Sequence, residues 1–369
     1  MDSKKYNNIK LAIGIGKGVL GFALMLLFAA SGLSLSLENY LRGYSDNKYL
    51  LLYLYILTIG FVSSIISFPI SYYSGFHLEH KFKLSNQTFL RWIWENLKGV
   101  LISLPLVIII LALFYWILNE FGSLWWLPFG ISMFLISVVL AKIAPVIILP
   151  LFYKLKPLEN DDLKSRILKL AGESGMKLEN VFRFDMSKNT KKANAAFTGL
   201  GKTKKVLLGD TLLDNFSNDE IETVLAHEFG HYEKKHIIKN IVIGTASSFL
   251  TFFLMAYLYQ LSLSCFGFSS ITQISALPLL VLWAAIINLF ETPITSAISR
   301  KFEYEADEYA VQKTNKPDAF ISTLDKLTEQ NLADKTPHPF VEWFFYSHPS
   351  IKRRTAFIES LKSKYLITT

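Results

Sequence analysis

A single cysteine, Cys265, stands in a chain of 369 residues. It excludes an internal disulfide, and with it a disulfide-stapled scaffold, and it cannot build a cysteine-type zinc site. Charge is also scarce. Only 18% of residues are charged, against about 25% in an ordinary soluble domain. The deficit is not uniform. It is concentrated in long apolar runs, which excludes a simple soluble globule and indicates a polytopic membrane protein in contact with a lipid bilayer. The formal net charge is +8, but the Lys and Arg cluster in a few loops with no nucleic-acid motif beside them, so no nucleic-acid partner is expected. Internal repeats and low-complexity stretches are lacking as well.

What is present is 51% hydrophobic residues, gathered into six runs at about 11–35, 49–72, 99–118, 124–152, 238–262 and 276–299. Each approaches or exceeds the roughly 20 residues that a spanning helix needs. The first run also has the parts of a signal peptide: Lys4, Lys5 and Lys10, then "GVLGFALMLLFAA", then small residues. The distribution of basic residues argues for an uncleaved span instead. Lys81, Lys83, Arg91 and Lys98 lie in the loop 73–98, and 153–237 carries more than a dozen Lys or Arg, whereas 36–48, 119–123 and 263–275 together hold only Arg42 and Lys48. With the N-terminus inside, every basic segment and the C-terminal tail fall on the cytoplasmic side.

The expected organisation is a four-span membrane region over 1–152, a cytoplasmic segment over 153–237, two further spans over 238–299, and a tail over 300–369. Within the soluble segment "DDLKSRILKLAGESG" reads as an amphipathic helix. The runs "VFRFDMS", "ANAAFTG" and "KKVLLGD" suggest a small antiparallel sheet of about three strands. The tail is expected to end in a helix from about Pro349. Lys17 and Glu291, inside apolar runs, are expensive in lipid and expected to face a cavity, with snorkelling as the alternative for Lys17. Pro293 is expected to bend the sixth span.

The chemistry lies in "LAHEFGHYEKKH", residues 225–236. Ser217 and Glu220 fit a capping box that starts a helix. His227 and His231, four apart, then project from one face, with the span needed to grip one Zn²⁺. Glu228, beside the first ligand, suits a general base acting on water. A catalytic zinc site needs a third protein ligand and an open position. His236 follows His231 by five residues, off the helical spacing. The better candidate is in "SRKFEYEADEYA", where Glu303 and Asp307 are four apart on a helix continuing the sixth span. The first can ligate, and the second can accept from a ligating histidine's free N–H. Taken alone, these carboxylates also fit an ordinary charged helix face.

Together "LAHEFGHYEKKH", "SRKFEYEADEYA" and "YSHPSIKRR" resemble the membrane-embedded zinc endopeptidases of the type I CAAX prenyl protease family, the M48 metallopeptidases. "FPISYYSGFHLEHKFKLSNQT", "IAPVIILPLFYKLKPLEN" and "ANAAFTGLGKTKKVLLGDTLL" are similar to further segments of that family, in the same order. The resemblance runs from about residue 60 to about 358. It implies one Zn²⁺ on His227, His231 and Glu303, with Glu228 as base and Asp307 orienting a ligand. It implies that Asn194 and the backbone of Ala195, Ala196 and Phe197 pair with a peptide substrate as an edge strand. His348 and Arg354 would sit by the scissile bond and stabilise the oxyanion.

The implied fold is mainly α: a polytopic helical barrel around an internal chamber, carrying a gluzincin-type zinc protease domain and the small antiparallel sheet. Eukaryotic members have seven spans, one more than counted here. The implied activity is hydrolysis of a peptide or protein substrate, either a prenylated C-terminal CAAX tail or, as in related bacterial enzymes, membrane proteins in quality control. Its place would be the cytoplasmic side of a bacterial inner membrane or of the endoplasmic reticulum. Two other readings are a broad-specificity stress protease and a non-catalytic transporter or scaffold with a closed, four-ligand structural zinc.

Overall fold

The computed structural model describes residues 3–176, 178–198 and 204–365. Gly199 of the "ANAAFTG" run and the last four residues of the tail lie outside the described residues.

Six helices are long and apolar enough to cross a membrane among the described residues, matching the six runs of the sequence. Helix α1 (Ser3–Ala30) ends at Gly32, whose φ of 78° suits a residue without a Cβ, and the chain turns there into the short α2 (Leu33–Arg42). Helix α3 (Lys48–Tyr72) starts on Asn47, whose side chain accepts from the Tyr49 and Leu50 amides, and continues through a π-turn to Lys81. Helices α4 (Phe89–Phe121) and α5 (Trp126–Ile143) complete the N-terminal spans. Among these helices and the two later spans, α8 (His236–Ser262) and α9 (Pro278–Thr314), contacts run from α1 to α3, α3 to α4, α4 to α5, α5 to α8, α8 to α9, and α9 back to α1.

One end of the bundle is filled. Leu51, Leu52 and Tyr55 of α3 meet Leu118 of α4, Trp125 and Tyr259 in a buried cluster. There Glu38 of α2 accepts from the Ser275 amide at 2.8 Å and pairs with Arg42 at 2.5 Å. Glu291, midway along α9, accepts from Ser247 at 2.8 Å and from Thr251 at 2.5 Å, both on α8. A carboxylate at membrane depth is thus satisfied by hydroxyls of the neighbouring helix. Lys17 lines a largely apolar cavity of about 330 Å³ between α1 and α3, with Thr58 and Ser63 opposite.

The sheet has four strands and is mixed, which corrects the expectation of about three antiparallel strands. Strands β1 (Leu155–Pro157), β2 (Leu178–Phe184), β3 (Ala195–Thr198) and β4 (Lys204–Gly209) lie in the order β1-β2-β4-β3. β2 and β4 run parallel, and the other two pairs are antiparallel. The period of a strand pattern carries no direction, and a three-residue edge strand ending in proline leaves almost no pattern to find. β3 occupies an edge.

Helix α6 (Asp161–Glu173) buries Leu163, Ile167 and Leu170 against Val181, Val206 and Leu208 of the sheet. Helix α7 (Asn218–Glu233) adds Leu225 and Phe229 to the same core. So do Ala310 of α9, Phe320 of α10 (Pro317–Asn331), and Ile358 of α12 (Ile351–Tyr365), which follows the short α11 (Pro339–Phe345). Helix α9 is 37 residues long, or about 55 Å at 1.5 Å per residue. That exceeds a bilayer's apolar thickness of about 30 Å, so the far end of the sixth span is built into the soluble core.

The capping box of α7 is present as read. Ser217 accepts from the Glu220 amide, and Glu220 accepts from the Ser217 amide at 2.9 Å. Burial opposes ionisation of Glu220, but the Lys326 ammonium at 2.8 Å, the Ser217 amide and the Ser322 hydroxyl hold its pKa below the ordinary value. The stability it adds is therefore present above its unfolded pKa and is lost as pH falls through the lower folded value. Ser217→Ala is expected to cost about 1 kcal/mol, read as a lower unfolding temperature of the detergent-solubilised chain at neutral pH.

Candidate metal centre

Three elements converge at the site: α7, the soluble half of α9, and the 346–354 segment that leads into α12. α7 and α9 pack closely because Gly230 faces Ala306. A Cβ at Gly230 would lie 3.0 Å from the Ala306 Cα and 3.1 Å from its carbonyl oxygen. This approach brings the histidines of one helix to the carboxylates of the other.

His227, His231 and Glu303 form a group able to hold a metal ion, each offering one ligand atom. The two Nε2 atoms are 3.2 Å apart. Glu303 places Oε2 3.4 Å from His227 Nε2 and Oε1 3.3 Å from His231 Nε2. A tetrahedral ion with bonds of about 2.0–2.1 Å separates its ligand atoms by about 3.3–3.4 Å, so the three positions fit such an ion. Two further observations agree. Glu303 Oε2 is one of two buried side-chain polar atoms without a hydrogen bond among the described residues. Its oxygen has His348 Nδ1 at 2.8 Å, outside hydrogen-bond alignment. The pocket also draws a cation. Burial alone would push the His227 pKa down, yet the carboxylates of Asp307 and Glu303 beside it hold it up at about 9.

Asp307 is fully buried and meets His227 Nδ1 at 2.8 Å. A carboxylate only accepts, so the His227 proton facing Asp307 sits on Nδ1, and Nε2, facing Glu303, is the nitrogen that would give up its proton to a metal ion. Arg354 grips the same carboxylate with two bonds, Nε to Oδ2 at 2.9 Å and Nη2 to Oδ1 at 2.5 Å. Burial works against the Arg354 charge, but Asp307, Glu303 and Glu228 around it keep its pKa above the ordinary value. Its Nη1 lies 3.7 Å from Glu303 Oε2.

Glu228 is half-buried beside His227 and makes no ion pair or side-chain hydrogen bond among the described residues. His348 is the open member of the group, with 62% of its side chain exposed. Asn194 is exposed, and its carbonyl accepts from the Gly209 amide at 3.0 Å. Ala195, Ala196 and Phe197 lie on β3 at the sheet edge, and the Phe197 ring meets Phe229 and Tyr232 of α7. His236 lies behind His231, with 2.9 Å between their Nδ1 atoms.

Sequence reading missed the residues that hold the His348 segment. Arg300 Nη1 donates to the carbonyls of Glu342, Trp343 and Tyr346 at 3.1, 3.2 and 2.7 Å. Buried Glu342 accepts from the Ser350 amide at 3.0 Å. Neither residue belongs to a spaced pattern. Both act on backbone far along the chain, which leaves no local signal.

Residues 157–362 match the model of peptidase family M48, and residues 1–154 match that of the CAAX prenyl protease N-terminal region, described by five membrane helices. The chain is 33% identical over 323 residues to CAAX prenyl protease 1 of Saccharomyces cerevisiae, spanning 82% of this chain and 71% of that protein. It is 29% identical over 356 residues to the uncharacterized metalloprotease YhfN of Bacillus subtilis, spanning 95% and 83%. It is similar to the crystal structure of S. mikatae Ste24p with a TM-score of 0.86 at 29% identity, over 97% of this chain and 88% of that one.

Proposed function

This chain belongs to peptidase family M48 and is a membrane-integral, zinc-type metalloendopeptidase of the CAAX prenyl protease 1 kind, and from that premise we propose how its residues divide the work. The observation that carries the proposal is the convergence of His227, His231 and Glu303 at ligand-to-ligand spacing. These residues would hold one Zn²⁺, which when bound would polarise the scissile carbonyl and make a water molecule acidic near neutral pH. Glu228 takes the proton of the attacking water and delivers it to the leaving amine. His348 donates to the developing oxyanion. Arg354 has two of its nitrogens committed to Asp307. It therefore serves the oxyanion less directly, by keeping Asp307 ionised and aimed at His227. The edge of β3, from Asn194 to Phe197, receives the substrate backbone as an added strand.

The six spanning helices enclose a hydrated chamber in this reading. Their cyclic order of contacts and the filled far end support it. The catalytic side is cytoplasmic, supported by the basic residues gathered in the segments at the site end.

The substrate is a prenylated C-terminal peptide, supported by the name of the S. cerevisiae relative. A farnesylated CAAX peptide is expected to be cleaved, with its unprenylated counterpart and a casein-like protein cleaved at least about tenfold more slowly, as buried prenyl methylenes are worth about 0.8 kcal/mol each. Cleavage of casein without cleavage of the farnesylated peptide would replace this reading with membrane-protein quality control.

A further inference from the structure

Lys235 adopts a left-handed φ of 57° between α7 and α8. The turn brings His236 back against His231, although five residues separate them in sequence. His236 is 1% exposed and stacks on Phe302, with ring centroids 4.2 Å apart and planes 10° from parallel. Both ring nitrogens are engaged. Nε2 lies 2.9 Å from Glu305 Oε2, and Nδ1 lies 2.9 Å from His231 Nδ1. Lys239 stands 3.7 Å from the same Glu305 oxygen.

The direction of these bonds follows from the groups. A carboxylate accepts and does not donate, so the His236 proton sits on Nε2. The other nitrogen of the neutral ring is then an acceptor, and His231 must donate to it from Nδ1. That leaves His231 Nε2 bare, 3.3 Å from Glu303 Oε1 and 3.2 Å from His227 Nε2. Asp307 imposes the same tautomer on His227 directly. Glu303, Glu305 and Asp307 all lie on α9, but Glu305, two residues on from Glu303, points about 200° around the helix toward the start of α8. It therefore reaches His231 only through His236.

We propose that His236 and Glu305 are positioning residues, a hydrogen-bonded relay that fixes His231 as an Nε2 metal ligand and orients its ring from behind. The proposal rests on the assignment of His231 as a ligand. Partners of this kind typically change metal affinity by about 10–100-fold when removed.

The test is Zn²⁺ affinity of the purified full chain in detergent, measured by competition with a chromogenic chelator. His236→Phe keeps a ring to stack on Phe302 and removes both bonds. It is expected to weaken Zn²⁺ binding by about 10–100-fold. His236→Gln can accept from His231 through its carbonyl and donate to Glu305 through its amide, and is expected to recover most of the loss. Glu305→Ala changes a half-exposed side chain, so folding is preserved. It frees His236 to take either tautomer, with an expected loss of about tenfold. Wild-type affinity in His236→Phe or Glu305→Ala would overturn the relay. Equal weakening by Phe and Gln at 236 would overturn it too, because packing would then be the cause. His231→Ala distinguishes a failure of the ligand assignment from a failure of the relay. If it leaves Zn²⁺ affinity unchanged, the ligand assignment itself is wrong, and the relay falls with it.

Discussion

Replacing Glu228 by glutamine is expected to lower peptidase activity by at least about 10²–10⁴-fold, the usual contribution of a positioned general acid–base group, while one equivalent of Zn²⁺ stays bound. Glutamine has nearly the same size, so α7 and its ligands remain in place. In the proposed mechanism, what is lost is the ability to take a proton from water and return it to the leaving amine. Glu228 has no ion pair among the described residues, and the nearby buried Arg354 keeps its two bonds to Asp307, so the substitution strands no buried charge. The check is paired: metal content by mass spectrometry, and initial rates on a fluorogenic peptide. Activity within a few-fold of wild type would remove Glu228 from the mechanism. Loss of metal would mean that it supports the site rather than the reaction.

The second large effect is expected at Gly230, which carries no chemistry. By helix propensity alone, Gly230→Ala would stabilise α7 by about 0.5–1 kcal/mol. The packing reverses that sign. The added Cβ meets the Ala306 backbone at 3.0 and 3.1 Å and the Tyr309 Cβ at 3.1 Å, and backbone atoms cannot swing aside. α7 and α9 must separate by a few tenths of an ångström for alanine and by more for valine. Gly230 lies between His227 and His231, and Ala306 between Glu303 and Asp307, so the separation falls on the ligand set. A 1 Å misplacement can cost about 10²-fold in rate. Gly230→Ala is expected to lose about three- to tenfold in activity on that scale, and Gly230→Val to lose its metal. Metal content, rates and unfolding temperature check this. An alanine variant that is more stable and fully active would show that the helices have slack.

How much of this was legible in the chain follows the range of the interactions. Ser217 with Glu220, and His227 with His231, lie within a few residues of each other on one helix, where geometry follows from spacing. The six spans depend only on length and hydropathy. Glu303 and Asp307 have a correct spacing of their own, yet nothing local says that their helix crosses α7. That depends on Gly230 facing Ala306, and in the sequence only the family resemblance implies it. His236 stands outside the metal-holding group, as its non-helical spacing from His231 predicts, but the same spacing does not show its contact with the back of His231. The left-handed Lys235 breaks the helix there, so the contact follows from the turn and not from helical spacing. The direction of β4 beside β2 was hidden for a different reason: alternation marks a strand without saying which way it runs.

His227, His231 and Glu303 are proposed to bind one catalytic zinc with an open fourth position. Anomalous diffraction from crystals of the full-length chain, recorded on both sides of the zinc absorption edge, tests this most directly. One peak is expected per chain, within about 2.0–2.2 Å of His227 Nε2, His231 Nε2 and a Glu303 carboxylate oxygen, with a non-protein ligand completing the shell. A peak at another place, or an ion closed by a fourth protein ligand, would rule out an open catalytic site on these three residues.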